Sequence, residues 1–139
     1  MKKIREVCLI EDEKIQLFLL KKFLERSEMS ESIVEFENGK LAYDALKART
    51  ESGDALPNLI FLDLNMPVWD GWEFFEAAQN LPGFEQVTTY ILTSSLSSDD
   101  MEKAKDFGLS DHYLTKPLSF DKLKEILFAE LQKPDNSNA

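Results

Sequence analysis

Leu59-Ile60-Phe61-Leu62-Asp63-Leu64-Asn65-Met66-Pro67 is the stretch that decides the fold. Four consecutive apolar residues end abruptly on a carboxylate. A run so short and so uniformly apolar suits a strand buried on both faces, as in a parallel sheet covered by helices. A second run of this kind, Val7-Cys8-Leu9-Ile10, also ends on acid, Glu11-Asp12-Glu13. Shorter runs lie at Ile33–Phe36, Tyr90–Leu92 and Tyr113–Leu114, and amphipathic stretches cover 14–26, 39–52, 71–80, 98–107 and 119–132. Five repeats of strand then helix predict an α/β domain, a doubly wound five-stranded parallel sheet with five helices. Ile33-Val34-Glu35-Phe36-Glu37 alternates, and the fifth strand is expected to carry Asp111 and His112. These two strands are therefore expected at the edges, in the order 2-1-3-4-5.

Local signals bound the helices. Ser119 is expected to cap the last helix, where Phe120, Leu123, Leu127 and Leu131 recur at helical spacing. Ser98 or Asp99 is expected to cap the fourth, Gly108 to end it, and Asn38-Gly39 to turn the chain after the second strand. At about 100° per residue, Leu19, Leu20, Phe23 and Leu24 form a stripe toward the sheet, with Phe18 nearly opposite. Cys8, Trp72 and Phe75 read as core, His112 as surface, and Trp69 as either a lid or ordinary loop packing.

Composition narrows the class. The chain has 139 residues, enough for one domain with its own core, and 26 Asp+Glu against 16 Lys+Arg, a formal −10. That balance disfavours nucleic acid and anionic membrane as partners. The longest N-terminal apolar run is four residues, where a secretory core needs roughly 7–15 and a membrane span roughly 20. With a single cysteine, the expected location is the cytoplasm.

Chemistry gathers behind the strands. The first is followed by Glu11-Asp12-Glu13, the third by Asp63, the fourth ends in Thr93, and the fifth is followed by Lys116-Pro117. Open parallel sheets bind ligands at the carboxyl ends of their strands. Glu11, Asp12 and Asp63 held together would repel, so either some pKa values rise or a cation sits among them. An all-oxygen set indicates Mg²⁺, with Mn²⁺ as the alternative. Lys116 and Thr93 would hold phosphoryl oxygens, and a carboxylate beside the metal can itself be the nucleophile.

Taken in order, Ile10-Glu11-Asp12-Glu13, Leu62-Asp63-Leu64-Asn65-Met66-Pro67 with Asp70-Gly71, Thr93-Ser94, and Tyr113-Leu114-Thr115-Lys116-Pro117 resemble the response-regulator receiver domain. The resemblance covers about residues 3–131, with 132–139 left as a flexible tail and no output domain expected. It implies the flavodoxin-like (CheY-like) fold and a stand-alone, single-domain response regulator of a two-component phosphorelay, a switch rather than a turnover enzyme. Asp63 would be the phospho-acceptor. Asp12, Asp63 and the backbone carbonyl of Asn65 would hold the metal, with Glu11 acting through a water. Thr93, Ser94 and Lys116 would meet the phosphate, Tyr113 would move with Thr93, and the Lys116–Pro117 bond would be cis. Glu11 stands where the family often has Asp. The implied partners are a sensor histidine kinase or a histidine phosphotransfer protein and a downstream protein target. The state would be a monomer or a phosphorylation-dependent dimer. Ile15 and Phe18 are expected to meet the phosphodonor. Two other classes share parts of the pattern. A magnesium-dependent aspartyl phosphatase would carry its nucleophile after the first strand and a second acid two residues later, where this chain has Asn65. A flavin mononucleotide binder would need phosphate-cradling groups where Glu11-Asp12-Glu13 stands.

Overall fold

Wholly apolar strand segments must lie where both faces are covered, and the central positions go to the strands that carry them. In the computed structural model, which describes residues 2–134, the elements are β1 (Ile4–Ile10), α1 (Lys14–Ser27), β2 (Ser30–Phe36), α2 (Gly39–Ser52), β3 (Leu59–Leu62), α3 (Gly71–Ala78), β4 (Thr88–Thr93), α4 (Ser98–Asp106), β5 (Tyr113–Thr115) and α5 (Phe120–Gln132). The five strands form one parallel sheet in the order β2-β1-β3-β4-β5. The predicted doubly wound architecture and strand order are thus the observed ones. Residues 135–139 of the expected tail lie outside the described residues.

Alternate residues of each strand feed two cores. Val7, Leu9, Leu59, Phe61 and Leu92 meet Leu20 and Leu24 of α1 and Leu123, Ile126 and Leu127 of α5. Cys8, Ile10, Ile60, Leu62 and Ile91 meet α2 through Ala42 and Leu46 and α3 through Trp72, Phe74 and Phe75. Cys8, Trp72 and Phe75 are core residues as expected.

Several local expectations need correction. Leu19 does not face the sheet: it is 41% exposed, and Leu17 packs against the core beside Leu20 and Leu24 instead. The buried stripe keeps Leu20, Phe23 and Leu24 but takes Leu17 in place of Leu19, where α1 packs against α5 as well as the sheet. Ser97, one residue before the expected cap, caps α4 by accepting from Asp100 N–H at 3.1 Å. Asp111 and His112 precede β5 in a 3₁₀ turn, closed by His112 N–H to Leu109 O at 2.9 Å. Asn38 does more than turn the chain: its side chain caps α2 through Leu41 N–H at 2.9 Å. Ser119 caps α5 as expected, accepting from Lys122 N–H at 3.1 Å.

The α1 correction has a direct test. Leu20→Ala should cost about 2–5 kcal/mol in urea unfolding, the usual range for a buried leucine. Leu19→Ala should cost no more than about 0.5 kcal/mol, as for an exposed position.

Candidate functional site

The sheet's hydrogen bonding runs past the strand ends and fixes the backbone of the acidic residues. Glu11 N–H donates to Phe36 O at 3.0 Å, Asp63 N–H to Ile10 O at 2.9 Å, and Lys116 N–H to Thr93 O at 2.9 Å. Behind Asp63 the chain returns tightly. Gly71 N–H meets Leu64 O at 2.9 Å, and a Cβ at Gly71 would lie 2.5 Å from Asp63 O. Only glycine lets α3 begin against the backbone of Asp63. Asp70 caps that helix with a reciprocal capping box to Glu73.

Glu11, Asp12 and Asp63 come together, one oxygen from each lying within 4.8 Å of the others. Glu11 and Asp63 are buried. The Lys116 ammonium enters the group, its side chain only 5% exposed, 2.7 Å from Glu11 Oε1, 3.3 Å from Glu13 Oε1 and 3.6 Å from Asp63 Oδ2. The second oxygen of Glu11 accepts from Glu13 N–H at 3.1 Å. Asp63 Oδ1 accepts from Asn65 N–H at 3.5 Å. Burial first, and then the charge of Glu11, pushes the Asp63 carboxyl up to about 7, with Lys116 acting the other way. Burial opposes the charge on Lys116, but the hydrogen bond to Glu11 and the charge of Asp63 outweigh it and hold its pKa above the ordinary value.

A cation fits this group. Asp12 Oδ1 is buried and has no hydrogen-bond partner, a costly state for an acceptor unless a ligand completes it. The donors are carboxylate oxygens, which suit a hard divalent ion.

The remaining predicted residues have surroundings of their own. Thr93 is fully buried, and its Oγ1 accepts from Ser95 N–H at 3.1 Å; Ser94 is exposed. Tyr113 donates its hydroxyl to Ser95 O at 2.9 Å. The Lys116–Pro117 peptide is cis. Ile15 and Phe18 are 76% and 57% exposed on α1. Trp69 packs against α2, 5.4 Å from the Tyr43 ring and with Lys40 over its face, the ordinary loop packing of the two alternatives. His112 is half-buried rather than a free surface group, stacked on Tyr90 and 3.0 Å from Thr89 O through Nδ1.

Sequence reasoning missed a second group. Asp100 Oδ1 accepts from Trp72 Nε1 at 2.8 Å, and its Oδ2 accepts from Ser95 Oγ at 2.6 Å. Burial works to raise the Asp100 pKa, but the bonds from Ser95 and Trp72 prevail and lower it. Ser95 thus holds Thr93, Tyr113 and Asp100 at once. The spacing of Trp72 and Asp100 carries no signal for this contact, because they lie on different helices.

The matching family model, the response regulator receiver domain, covers residues 7–128. The chain belongs to this family. Among curated relatives of this receiver domain, the probable methanogenesis regulatory protein FilR2 of Methanothrix harundinacea is 32% identical over 121 residues, spanning 87% of this chain and 77% of that protein. The response regulator Rcp1 of Synechocystis is 30% identical over 111 residues, spanning 79% of this chain and 75% of that protein. Its manganese-bound structure matches with a TM-score of 0.73 at 26% identity, over 94% of this chain and 97% of that one. A two-component response regulator from Cytophaga hutchinsonii matches with a TM-score of 0.80 at 29% identity, over 94% of this chain and 98% of that one. As a receiver domain of two-component systems, the chain has Asp63 after its third strand rather than its first, unlike the phosphatase alternative. Its three acids after β1 stand where a flavin phosphate would have to be held.

The raised Asp63 pKa sets a pH dependence. An aspartate titrates near 3.9 when unfolded, so between that value and about 7 the native protein binds the extra proton. Its contribution to stability is therefore present at low pH and lost as pH rises through about 7. With a chelator present, Asp63→Asn should stabilise the fold at pH 8 by on the order of 2 kcal/mol. That advantage should vanish toward pH 4 and shrink when magnesium is added, as read by urea unfolding.

Proposed function

We propose that the chain acts as a stand-alone response regulator in which Asp63 accepts a phosphoryl group from a phosphohistidine, in a magnesium-dependent reaction. The observation that carries this reading is the pairing of a buried, unpartnered Asp12 Oδ1 with an acceptor carboxylate 3.6 Å from a buried ammonium. Asp12, Asp63 and the backbone carbonyl of Asn65 would hold the ion. Each oxygen of Glu11 keeps a lone pair for an ion-bound water beyond the bonds it already accepts. A divalent ion there supplies charge neutralisation between the acceptor and the incoming phosphoryl oxygens.

An Asp63 oxygen forms the new P–O bond as the P–N bond of the donor breaks, and the imidazole leaves with a proton. Lys116, the Thr93 hydroxyl and the Ser94 backbone orient the transferred oxygens. Because Ser95 joins Thr93 to Tyr113, a shift of Thr93 toward phosphate disturbs Tyr113 and, through Asp100, the start of α4. The face formed by α4, β5 and α5 is then where a downstream protein reads the state, with the phosphorylated form monomeric or dimeric. The role is that of a switch rather than a turnover enzyme, in the cytoplasm; no described helix is long and apolar enough to cross a membrane.

Ile15 and Phe18, exposed on α1, are read as contacts for the kinase or phosphotransfer protein, since exposed apolar residues in a group mark interaction surfaces. Asp63→Asn should remain folded and take up no phosphate from acetyl phosphate or a kinase; stoichiometric labelling of that variant would refute the acceptor assignment. Phe18→Ala should slow transfer from the cognate kinase by about tenfold, a loss near 1.4 kcal/mol, while labelling by acetyl phosphate stays at the wild-type rate. An equal effect on both donors would remove the docking role.

A further inference from the structure

Glu13 is the one acid of the Glu11-Asp12-Glu13 run without a role in the metal cluster. It occupies the N-cap of α1, where a side chain ordinarily accepts from the helix's own first N–H groups. The Glu13 side chain makes no such bond. Its Oε1 reaches across the sheet edge to Lys116 Nζ at 3.3 Å, while its backbone N–H holds Glu11 Oε2 at 3.1 Å. An ammonium has three N–H donors. On Lys116, one is taken by Glu11 at 2.7 Å and one by Glu13 at 3.3 Å, and Asp63 Oδ2, at 3.6 Å, lies beyond a good hydrogen bond. The lysine that must meet the phosphoryl group is thus held by two carboxylates that are not the acceptor.

We propose that Glu13 is a positioning residue that competes with the phosphoryl group for Lys116. The inference rests on the phospho-acceptor reading above and adds to it a restraint set by residue 13. Of the two competing carboxylates, only Glu13 is free to leave. Glu11 is buried with Lys116, and separating them would strand two charges. The Glu13 side chain is 59% exposed and returns to water at little cost. The third donor faces Asp63 across 3.6 Å, so a phosphoryl oxygen there draws the ammonium toward Asp63, which breaks the Glu13 contact and leaves the Glu11 contact in place. Since the Glu13 side chain does not cap α1, replacing it does not remove a helix cap.

The test uses beryllium fluoride with magnesium as the phosphoryl mimic, titrated by calorimetry into wild type, Glu13→Gln and Glu13→Asp. Glutamine removes the charge. Aspartate keeps the charge but is one methylene too short for the 3.3 Å contact. Both variants should bind the mimic about two- to fivefold more tightly, the size expected for an exposed ion pair, and the gap from wild type should narrow in high salt. Tighter binding by Glu13→Gln with Glu13→Asp like wild type would mean a charge acting at a distance, and would overturn the proposal. So would unchanged or weaker binding by both. If wild type itself binds no mimic, the phospho-acceptor reading falls and takes this inference with it; binding by wild type with no variant effect defeats the inference alone.

Discussion

One buried ammonium among carboxylates organises the carboxyl edge of this sheet. Lys116 arrives from the end of β5, Glu11 from β1 and Asp63 from β3, and each backbone is held by a hydrogen bond to the neighbouring strand. Two buried carboxylates facing one ammonium leave an excess of negative charge. Burial first, and then the charge of Glu11, raises the Asp63 pKa, and a buried Asp12 oxygen is left with no partner. Such a site is poised for a cation, because an ion relieves the repulsion and completes the orphaned acceptor together. The order β2-β1-β3-β4-β5 matters here because it sets β1 beside β3 and brings their acids within reach.

After β4, Ser95 ties several elements of the domain together. Its N–H holds the Thr93 hydroxyl, its carbonyl holds Tyr113, and its own hydroxyl holds Asp100, which also takes the indole N–H of Trp72. Trp72 is in turn packed in the α2 and α3 side of the core and stacked on Phe107 at the end of α4. Thr93 is therefore joined through Ser95 and Asp100 to α3 and α4. Every link is a directional hydrogen bond or a ring contact.

Much of this was legible in one dimension. Runs such as Leu59–Leu62 and Val7–Ile10 have no polar residue to place on water, so the parallel sheet and its central strands followed from the pattern alone. The strand-end residues Glu11, Asp12, Asp63, Thr93 and Lys116 were found because a parallel sheet presents all its carboxyl ends on one edge. The stripe of α1 was less legible. Leu17, Leu19 and Leu20 are chemically alike, and which of them turns inward depends on how the helix lies against both the sheet and α5.

What the sequence by itself determined was the architecture, the set of chemical groups at the carboxyl edge and the family they belong to, because strand periodicity and strand-end placement are local properties. What only the tertiary structure decided was how those groups share one another. Lys116 leans toward Glu11 and Glu13 rather than Asp63, Asp12 keeps an oxygen without a partner, and Trp72 reaches Asp100 from another helix. The physical reason is that hydrogen bonds and ion pairs are settled by differences of well under an ångström between side chains distant in sequence. Those differences follow from packing two cores against a twisted sheet, which no single stretch of residues encodes.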